Sequence, residues 1–269
     1  MTEGQTAARR QTLIGDCAAA FLLLSRFPTG WHVFPADNPP NFTSALWAFP
    51  LVGLVIGACG GLIFLAATAL SLPPLMAAAL ALLATMLLSG GMHEDGLADM
   101  ADGFGGGKDV ESRIRIMHDS RIGTYGVLGL TLTVAIRIGF YMTCLGIFSG
   151  WDLVLFMAVL QAAGRFQPVV QLAAFRVSPH ASLAQLTGRP GAARLAVAAV
   201  ICLLPMIWLL GPVVSASMII PALALAIWTG QLATRHVEGL TGDVMGATVV
   251  LAEIIMLLCW ASVGGTMPA

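Results

Sequence analysis

The chain has 269 residues, of which 58% are hydrophobic and only 10% are charged, and its mean hydropathy is +0.87. A water-soluble domain carries about 25% charged residues, so too few polar side chains remain here to coat a globule in water, and lipid must solvate much of the surface. The net charge of −1 gives no case for nucleic-acid binding, which favours a basic stripe, so we expect no nucleic-acid partner.

The N-terminal segment predicts a helix that lies in the membrane interface. Arg9 and Arg10 precede an apolar run over residues 13–24, as they would in a signal peptide. Asp16 interrupts that run, and no A-x-A cleavage site follows it. We therefore interpret residues 1–28 as a retained interfacial helix.

Seven apolar segments follow, and a bilayer takes about 20 such residues to cross. They predict an all-α, polytopic helical bundle with about seven transmembrane helices, forming one membrane domain over residues 1–269. The second segment has a short apolar start and the fifth contains Pro205, which indicates that one of the seven is a kinked or partial crossing. The segments are Leu46–Leu70, Leu75–Gly91, Tyr125–Phe148, Leu153–Ala174, Leu195–Leu210, Val213–Ala233 and Gly246–Val263.

The basic residues support this number of spans and give the chain an orientation. With a cytoplasmic N-terminus, residues 92–124, 175–194 and 234–245 all lie on the cytoplasmic side. Of 13 Lys and Arg, 11 then fall on that side, and none falls in an outer loop. Because cytoplasmic loops are enriched in Lys and Arg, we expect a protein of the bacterial cytoplasmic (inner) membrane. The 11 are Arg9, Arg10, Arg26, Lys108, Arg113, Arg115, Arg121, Arg176, Arg189, Arg194 and Arg235.

The longest cytoplasmic segment, residues 92–124, carries three aspartates at helical spacing. Asp95, Asp99 and Asp102 stand at i, i+4 and i+7, so a helix would place their carboxylates on one face. Like charges at this spacing destabilise a bare helix, whereas a divalent cation would stabilise it, and carboxylate oxygens suit Mg²⁺ or Mn²⁺. A solvated acidic face is the alternative. The run contains no Lys or Arg and leads into a Gly-rich loop at 103–107, so we predict a cytoplasmic-face acidic helix that binds metal.

A carboxylate, a hydroxyl and a guanidinium then follow in three residues, Asp119-Ser120-Arg121. Asp109 can cap the short helix that precedes them. An arginine offers a planar fork of donors to phosphate oxygens, and Asp119 could bind a metal or accept a proton. Beside the acidic helix, this triplet indicates a phosphate site.

A third polar cluster lies just before the last span, at residues 239–246. Its Asp243 is either a helix cap or part of the same site. Glu253, Arg137 and Arg165 lie inside predicted spans, where a charge is costly and therefore marks function or an ion pair. The two arginines could pair with Glu253 or bind substrate phosphates.

Three motifs thus occur in order along the chain, at residues 93–103, 116–123 and 241–247. They resemble H-x-D-G-L-A-D-x-x-D-G, I-M-x-D-S-R-x-G and T-G-D-x-x-G-A of the cobalamin-5′-phosphate synthase family, also called adenosylcobinamide-GDP ribazoletransferases. Residues 21–28 and 49–53 are similar to its N-terminal pattern, so the likeness covers nearly the whole chain.

Two residues depart from the family pattern that the chain resembles. Glu94 stands where the family usually has an apolar residue, and it either adds a ligand or faces solvent. Val250 stands where some members have Glu, which leaves Glu253 as the sole acidic residue of the last span.

The resemblance implies a step of cobalamin biosynthesis. A ribose hydroxyl of α-ribazole, or of its 5′-phosphate, attacks the corrinoid-proximal phosphate of adenosylcobinamide-GDP, and GMP leaves. Mg²⁺ is the implied cofactor, held by Asp95, Asp99 and Asp102, with Asp119 as a further ligand or base and Arg121 as a catalytic phosphate contact. The implied partners are these small molecules and the bilayer. The implied substrate-binding residues are His93, Lys108, Ser120, Arg165, Arg235 and Asp243.

Two other functions fit part of the sequence. CDP-alcohol phosphotransferases also bind metal around a pyrophosphate through Asp-rich membrane helices, but only residues 99–103 match the start of their motif, and no Ala-Arg follows. A secondary transporter would use Glu253, Arg137 and Arg165 as a relay at the membrane midplane. The position of the acidic clusters at the cytoplasmic edge and the lack of a visible internal repeat argue against it.

Overall fold

The structure, a computed structural model, describes residues 12–34, 39–181 and 183–263. Regular structure in these ranges is helical, apart from one isolated bridge between Val177 and Leu240, which confirms the predicted all-α membrane fold. Arg9 and Arg10, used in the interpretation of residues 1–28, lie outside the described residues. The α-helices are α1 (Leu13–Leu24), α2 (Phe42–Ala45), α3 (Phe49–Ala69), α4 (Pro74–Ser89), α5 (Met92–Gly106), α6 (Val110–Met117), α7 (Thr124–Cys144), α8 (Trp151–Ala174), α9 (Ala192–Val237) and α10 (Gly242–Ser262), with short 3₁₀ segments at Leu46–Ala48 and Leu183–Leu186.

The described residues contain five helices that are long and apolar enough to cross a membrane. They are the continuous helix Phe42–Ala69, which includes α2 and α3, together with α7, α8, α9 and α10. The α4–α5 pair passes the same test only as a unit, and its two helices meet at 87°, so the number rises to six if that pair is one span. The predicted number of seven is therefore not confirmed. Because α5 turns away from α4, we place α5 outside the spanning segments. The 12-residue α1 is too short to span.

The fifth and sixth predicted spans lie on one element, α9. Its 46 residues would extend about 69 Å if straight, against about 30 Å for the hydrocarbon core. Gly211 interrupts the helix with φ 74° and ψ 164°, and Pro212 follows. The Ser215 hydroxyl lies 3.0 Å from the carbonyl oxygen of Met206, whereas nine residues of straight helix would separate them by about 13 Å. The chain therefore bends sharply at the predicted joint.

α3 packs on α8 through glycines spaced four residues apart. A methyl group on Gly53 would come within 2.5 Å of the Gln161 carbonyl oxygen, and one on Gly61 within 2.6 Å of the Val154 Cα. Gly57, between them, faces the Met157 carbonyl oxygen. Small residues at this spacing let two membrane helices bring their backbones together, so α3 and α8 form the tightly packed centre of the bundle.

Gly57→Ala is expected to destabilise the protein by about 1–3 kcal/mol, because the obstructing atoms belong to the α8 backbone and cannot rotate away. Thermal unfolding in detergent would measure the loss. Gly139→Ala in α7 is the matched control, since no atom lies within 4 Å of a methyl group placed there. We expect that variant to be neutral or slightly more stable, because alanine favours helix. Equal losses in both variants would contradict the close α3–α8 contact.

Buried polar side chains join the helices at two further points. The Asp16 carboxylate of α1 accepts hydrogen bonds from the Ser44 hydroxyl and from Trp47 Nε1, the latter at 3.0 Å. The Gln171 amide of α8 lies 2.9 Å from Thr229 Oγ1 and 3.0 Å from Thr248 Oγ1. The Asp16 hydrogen bonds attach α1 to the start of the continuous helix Phe42–Ala69. The Gln171 hydrogen bonds join α8 to α9 and α10.

The loops predicted to share one side of the membrane do lie at one end of the bundle. The Leu240 N–H donates to the Arg176 carbonyl oxygen at 2.9 Å, which joins the segment after α8 to the segment before α10. Arg113 of α6 reaches the His236 carbonyl oxygen at 3.5 Å. The Arg26 N–H donates to the Leu88 carbonyl oxygen at 2.7 Å, so the segment after α1 meets the end of α4.

Candidate active site

The acidic helix α5 begins at a tight turn of two glycines. Gly90 and Gly91 have φ values of 71° and 70°, in the left-handed region that glycine adopts without strain. These two residues end α4, redirect the chain by 87°, and start α5 at Met92. The sequence Gly-Gly before the acidic motif is therefore what aims α5 across the neighbouring helices.

Asp95 and Asp99 line an open cleft of about 480 Å³. The opposite wall carries Asp119 and Ser120, together with Leu130 of α7. The first two sequence motifs therefore face each other across this cleft, as the sequence predicted.

Asp102 has a different environment from the other two aspartates of the motif. Its Oδ2 accepts a hydrogen bond from the Gly123 N–H at 2.7 Å, and its Oδ1 accepts one from the Gly126 N–H at 2.9 Å. The side chain is buried, and it caps the N-terminus of α7, where a negative charge is stabilised. Asp102 thus fixes the C-terminal half of α5 to α7, and its role as a metal ligand stays a prediction.

The third motif lies directly against α5. Thr241 caps α10, which places Asp243 in the first turn of that helix. A methyl group on Gly96 would come within 2.7 Å of the Asp243 carbonyl oxygen, so only glycine permits this approach. Gly246 likewise packs on the backbone of His93. All three motifs therefore meet around α5.

The cleft concentrates negative charge. Partial burial, followed by the charges of Asp95, Asp243 and Asp102, raises the pKa of Asp99 to about 7. Among the described residues, none of these four carboxylates forms an ion pair. A divalent cation would relieve this repulsion, so the electrostatics favour one in the cleft.

The donor set fits Mg²⁺ in its chemistry. Within the described part of the chain, no three acidic, histidine or cysteine side chains converge closely enough to hold a metal ion together. Mg²⁺ needs fewer, since proteins usually bind it through one or two carboxylates while waters and substrate phosphates supply the other oxygens. Asp95 and Asp99 beside an open cleft meet that requirement.

We expect divalent-cation binding to strengthen as the pH rises. Asp99 titrates at a pKa of about 7, and a cation must displace its proton. The ionised fraction therefore rises between pH 6 and 8, and the apparent affinity should increase about 10-fold over that range. Electron paramagnetic resonance of free Mn²⁺ would measure it. Asp99→Asn should abolish the dependence, and an unchanged affinity across this range in the parent protein would contradict the assignment.

Asp119 and Arg121 form a bidentate ion pair at the rim of the cleft. Arg121 Nη2 lies 2.8 Å from Asp119 Oδ2, and Arg121 Nε lies 3.1 Å from Oδ1. The Arg121 side chain is 88% exposed, so its donors can reach a ligand. The hydrogen bonds from Arg121 lower the pKa of Asp119 to about 2. A carboxylate this acidic is a good ligand and a weak base.

A second cleft, of about 280 Å³, shares Asp119 with the first. Its walls include Ile116 of α6 and Tyr125 of α7, and Arg121 also lines it. Asp119 therefore borders two open spaces, which is an arrangement suited to two reactants that meet at one phosphate.

Lys108 and Arg235 lie at the same end of the bundle but outside the two clefts. Both are exposed. The His236 ring stacks on Phe104 with centroids 5.0 Å apart, which brings the end of α9 to the last turn of α5, just before Lys108. Residues 103–106, predicted as part of a Gly-rich loop, are instead helical, because close packing of these glycines on α6 and α7 outweighs their low helix propensity. Their contact with phosphate stays a prediction.

His93 and Arg165 face the interior rather than the acidic cleft. His93 lines a largely apolar cavity of about 60 Å³ with Phe49 and Met245. Arg165 is 2% exposed and donates to the Gln161 side chain. Nothing places either side chain at the reacting phosphate, so their substrate-binding roles also stay predictions.

Glu94 neither faces solvent nor lines the acidic cleft, contrary to both sequence interpretations. It is buried, and its Oε1 lies 2.8 Å from Nη1 of Arg137. Nη2 of Arg137 lies 2.9 Å from Oε2 of Glu253, and the other oxygen of Glu253, Oε1, accepts a hydrogen bond from the Tyr141 hydroxyl. Arg137 thus pairs with Glu253, as the sequence suggested. It also pairs with Glu94, which the sequence did not predict. The available signal was the charge balance of the predicted spans, in which two arginines, Arg137 and Arg165, stood against one glutamate, Glu253.

Comparison with known proteins matches residues 16–261 to the family model described as cobalamin-5-phosphate synthase. A protein of Bradyrhizobium diazoefficiens named adenosylcobinamide-GDP ribazoletransferase is 33% identical, covering 94% of this chain and 95% of its own length. One of the same name from Xanthobacter autotrophicus is 38% identical, covering 90% of this chain and 94% of its own. No solved structure matches the chain.

Proposed function

This chain belongs to the cobalamin-5-phosphate synthase family, and we propose that it is an adenosylcobinamide-GDP ribazoletransferase of cobalamin biosynthesis. A ribose hydroxyl oxygen of α-ribazole, or of its 5′-phosphate, bonds to the corrinoid-proximal phosphorus. The bond from that phosphorus to the bridging oxygen breaks, the hydroxyl proton is lost, and GMP leaves. The observation that carries this proposal is the open acidic cleft that the first two motifs line, with the third motif packed directly against α5.

Asp95 and Asp99 would hold Mg²⁺ in this cleft. When bound there, Mg²⁺ would neutralise charge on the pyrophosphate and on the departing GMP. Burial and then the charges of Asp95, Asp243 and Asp102 raise the pKa of Asp99, and no ion pair offsets these carboxylates within the described residues, which supports this proposal. Asp243 adds a further carboxylate beside them.

Arg121 would bind the reacting phosphate with the same two donors that it now directs at Asp119. Exposed ion pairs are weak, so a more highly charged phosphate can take over the guanidinium. Asp119 is then free to act as a metal ligand in the cleft that it lines. Ser120 in the cleft, with Lys108 and Arg235 nearby, would supply further polar contacts to the substrates.

We place the cleft on the cytoplasmic side of the inner membrane. The 11 basic residues that orient the sequence belong to the N-terminal segment and to three loops. Where these are described, they lie at the same end of the bundle as the cleft. The positive-inside rule therefore supports a cytoplasmic active site.

The transporter alternative receives no support from the buried charges. The cavity that Arg137, Arg165 and Glu253 line measures about 10 Å³, which is room for about one water molecule. No solute could pass there without separating the helices.

Product analysis with purified protein tests the proposed function. Incubation in detergent with adenosylcobinamide-GDP, α-ribazole and Mg²⁺ should yield adenosylcobalamin and GMP in equal amounts, as measured by liquid chromatography and mass spectrometry. Release of GDP in place of GMP would contradict attack on the corrinoid-proximal phosphate. Ligand accumulation in proteoliposomes without new product would favour transport.

A further inference from the structure

A buried cluster of charged side chains lies against the acidic helix. Arg137 of α7 lies between Glu94 of α5 and Glu253 of α10, at 2.8 and 2.9 Å. Arg165 of α8 is also buried and, within the described residues, forms no ion pair of its own. The two arginines and two glutamates give a formally neutral cluster that joins four helices.

Such a cluster is a poor source of stability. Taking four charges out of water costs more than ion pairing generally returns, and apolar side chains of similar size often serve as well. Among the described residues, Glu94 Oε2, Arg137 Nε and Arg165 Nε have no hydrogen-bond partner, so the network leaves buried polar atoms unsatisfied. These features point to a purpose other than holding the bundle together.

The position of Glu94 indicates that purpose. The first turn of α5 is tied to the middle of α7 through Glu94 and Arg137, and its last turns are tied to the start of α7 through Asp102. Asp95 and Asp99 lie between these two attachment points. On a helix, they stand about 100° and 140° around the axis from Glu94, so the buried contact fixes the rotation that turns both carboxylates toward the cleft.

We propose that Glu94 and Arg137 are positioning residues, which hold α5 in the rotation that presents Asp95 and Asp99 to a divalent cation. Neither residue lines the acidic cleft. The inference rests on the proposed function only in taking that cation to be the one the reaction uses.

Moving the Glu94 carboxylate from α5 to α10 distinguishes a positioning role of Glu94 from a role in charge balance. Val250 of α10 is 1% exposed and lines the same small polar cavity as Glu94, Arg137 and Arg165. Glu94→Gln alone leaves the cluster with an excess positive charge. Adding Val250→Glu returns a carboxylate to the cavity from α10, which restores neutrality but does not restore the charged link between α5 and α7.

The experiment compares the parent, Glu94→Gln and Glu94→Gln/Val250→Glu proteins. Mn²⁺ binding is followed by electron paramagnetic resonance, Tm by thermal unfolding, and kcat and KM by GMP release. We expect the double variant to recover most of the Tm lost by Glu94→Gln. We also expect its Mn²⁺ dissociation constant to stay about 10-fold above the parent value and its kcat to stay about 10-fold below, with little change in KM for α-ribazole.

Parent-like Mn²⁺ affinity in the double variant would overturn the proposal, because Glu94 would then serve only charge balance. If that variant fails to fold, Arg137→Lys decides, since it keeps every charge but loses the fork that spans two carboxylates. Parent-like Mn²⁺ affinity in Arg137→Lys would also overturn the positioning role. Weakened affinity in a folded Arg137→Lys protein would support that role. A parent protein that binds Mn²⁺ but forms no adenosylcobalamin would refute the proposed function and leave this comparison valid.

Discussion

Asp99→Asn is expected to lower kcat for GMP release by about 100-fold or more at saturating substrate. Asp99 lines the cleft, where partial burial, followed by the charges of Asp95, Asp243 and Asp102, raises its pKa to about 7. The amide keeps the shape of the side chain but removes the charge that would bind the cation, and metal ions supply several kcal/mol of charge stabilisation in such reactions. Steady-state rates over a range of Mg²⁺ concentrations would measure the loss.

Asp102→Asn is the informative comparison within the same motif. Its carboxylate accepts two backbone hydrogen bonds at the start of α7, and hydrogen bonds to charged groups are worth about 1.5–3 kcal/mol. We therefore expect a lower Tm and a nearly unchanged Mg²⁺ concentration for half-maximal rate. If Asp102→Asn loses Mg²⁺ dependence while Asp99→Asn keeps it, the ligand assignments within α5 are wrong.

Arg121→Lys is expected to lower kcat by about 100-fold with little change in KM. Lysine keeps the positive charge but lacks the planar pair of donors that Arg121 now directs at Asp119. Loss of one preorganised donor to a reacting oxyanion typically costs a factor of this size. A fall in kcat with constant KM would place the contact in the transition state rather than in substrate binding.

Arg115→Lys serves as the control for this substitution. Arg115 is an exposed arginine at the end of α6 that lines neither cleft. Its kinetics should match those of the parent protein. Near-native kcat in Arg121→Lys would instead indicate that Asp119-Ser120-Arg121 only connects α6 to α7. Phosphate binding would then be assigned to Lys108 and Arg235.

Hydropathy predicted the helices well because a helix that lipid surrounds needs a long run of apolar residues. The turn residues Gly211 and Pro212 gave the break within α9, but hydropathy could not give the number of crossings, since a bend changes backbone direction without changing composition. Hydropathy misses the α4–α5 bend for the same reason. Two glycines in the left-handed backbone conformation redirect the chain at the point where the sequence changes from apolar to polar.

Motif spacing predicted that Asp95 and Asp99 share a helix face with Asp102, and the place of the Asp119-Ser120-Arg121 triplet beside the acidic helix indicated a phosphate site there. Spacing could not distinguish Asp102 from them, because its distinct role depends on the two α7 amides that contact it. Glu94 was misjudged for a similar reason. Its burial against Arg137 is a long-range contact across 43 residues, and no local pattern in the sequence encodes it.

Rescue of activity by Mg²⁺ tests the central claim, that the acidic cleft of α5 carries out ribazole transfer with a bound cation. The purified protein is stripped with EDTA, transferred to metal-free buffer, and supplied with adenosylcobinamide-GDP and α-ribazole while Mg²⁺ is titrated in. We expect no GMP release without metal and a saturable return of activity with Mg²⁺, which Asp99→Asn should lose. Full turnover in the presence of EDTA would contradict the claim.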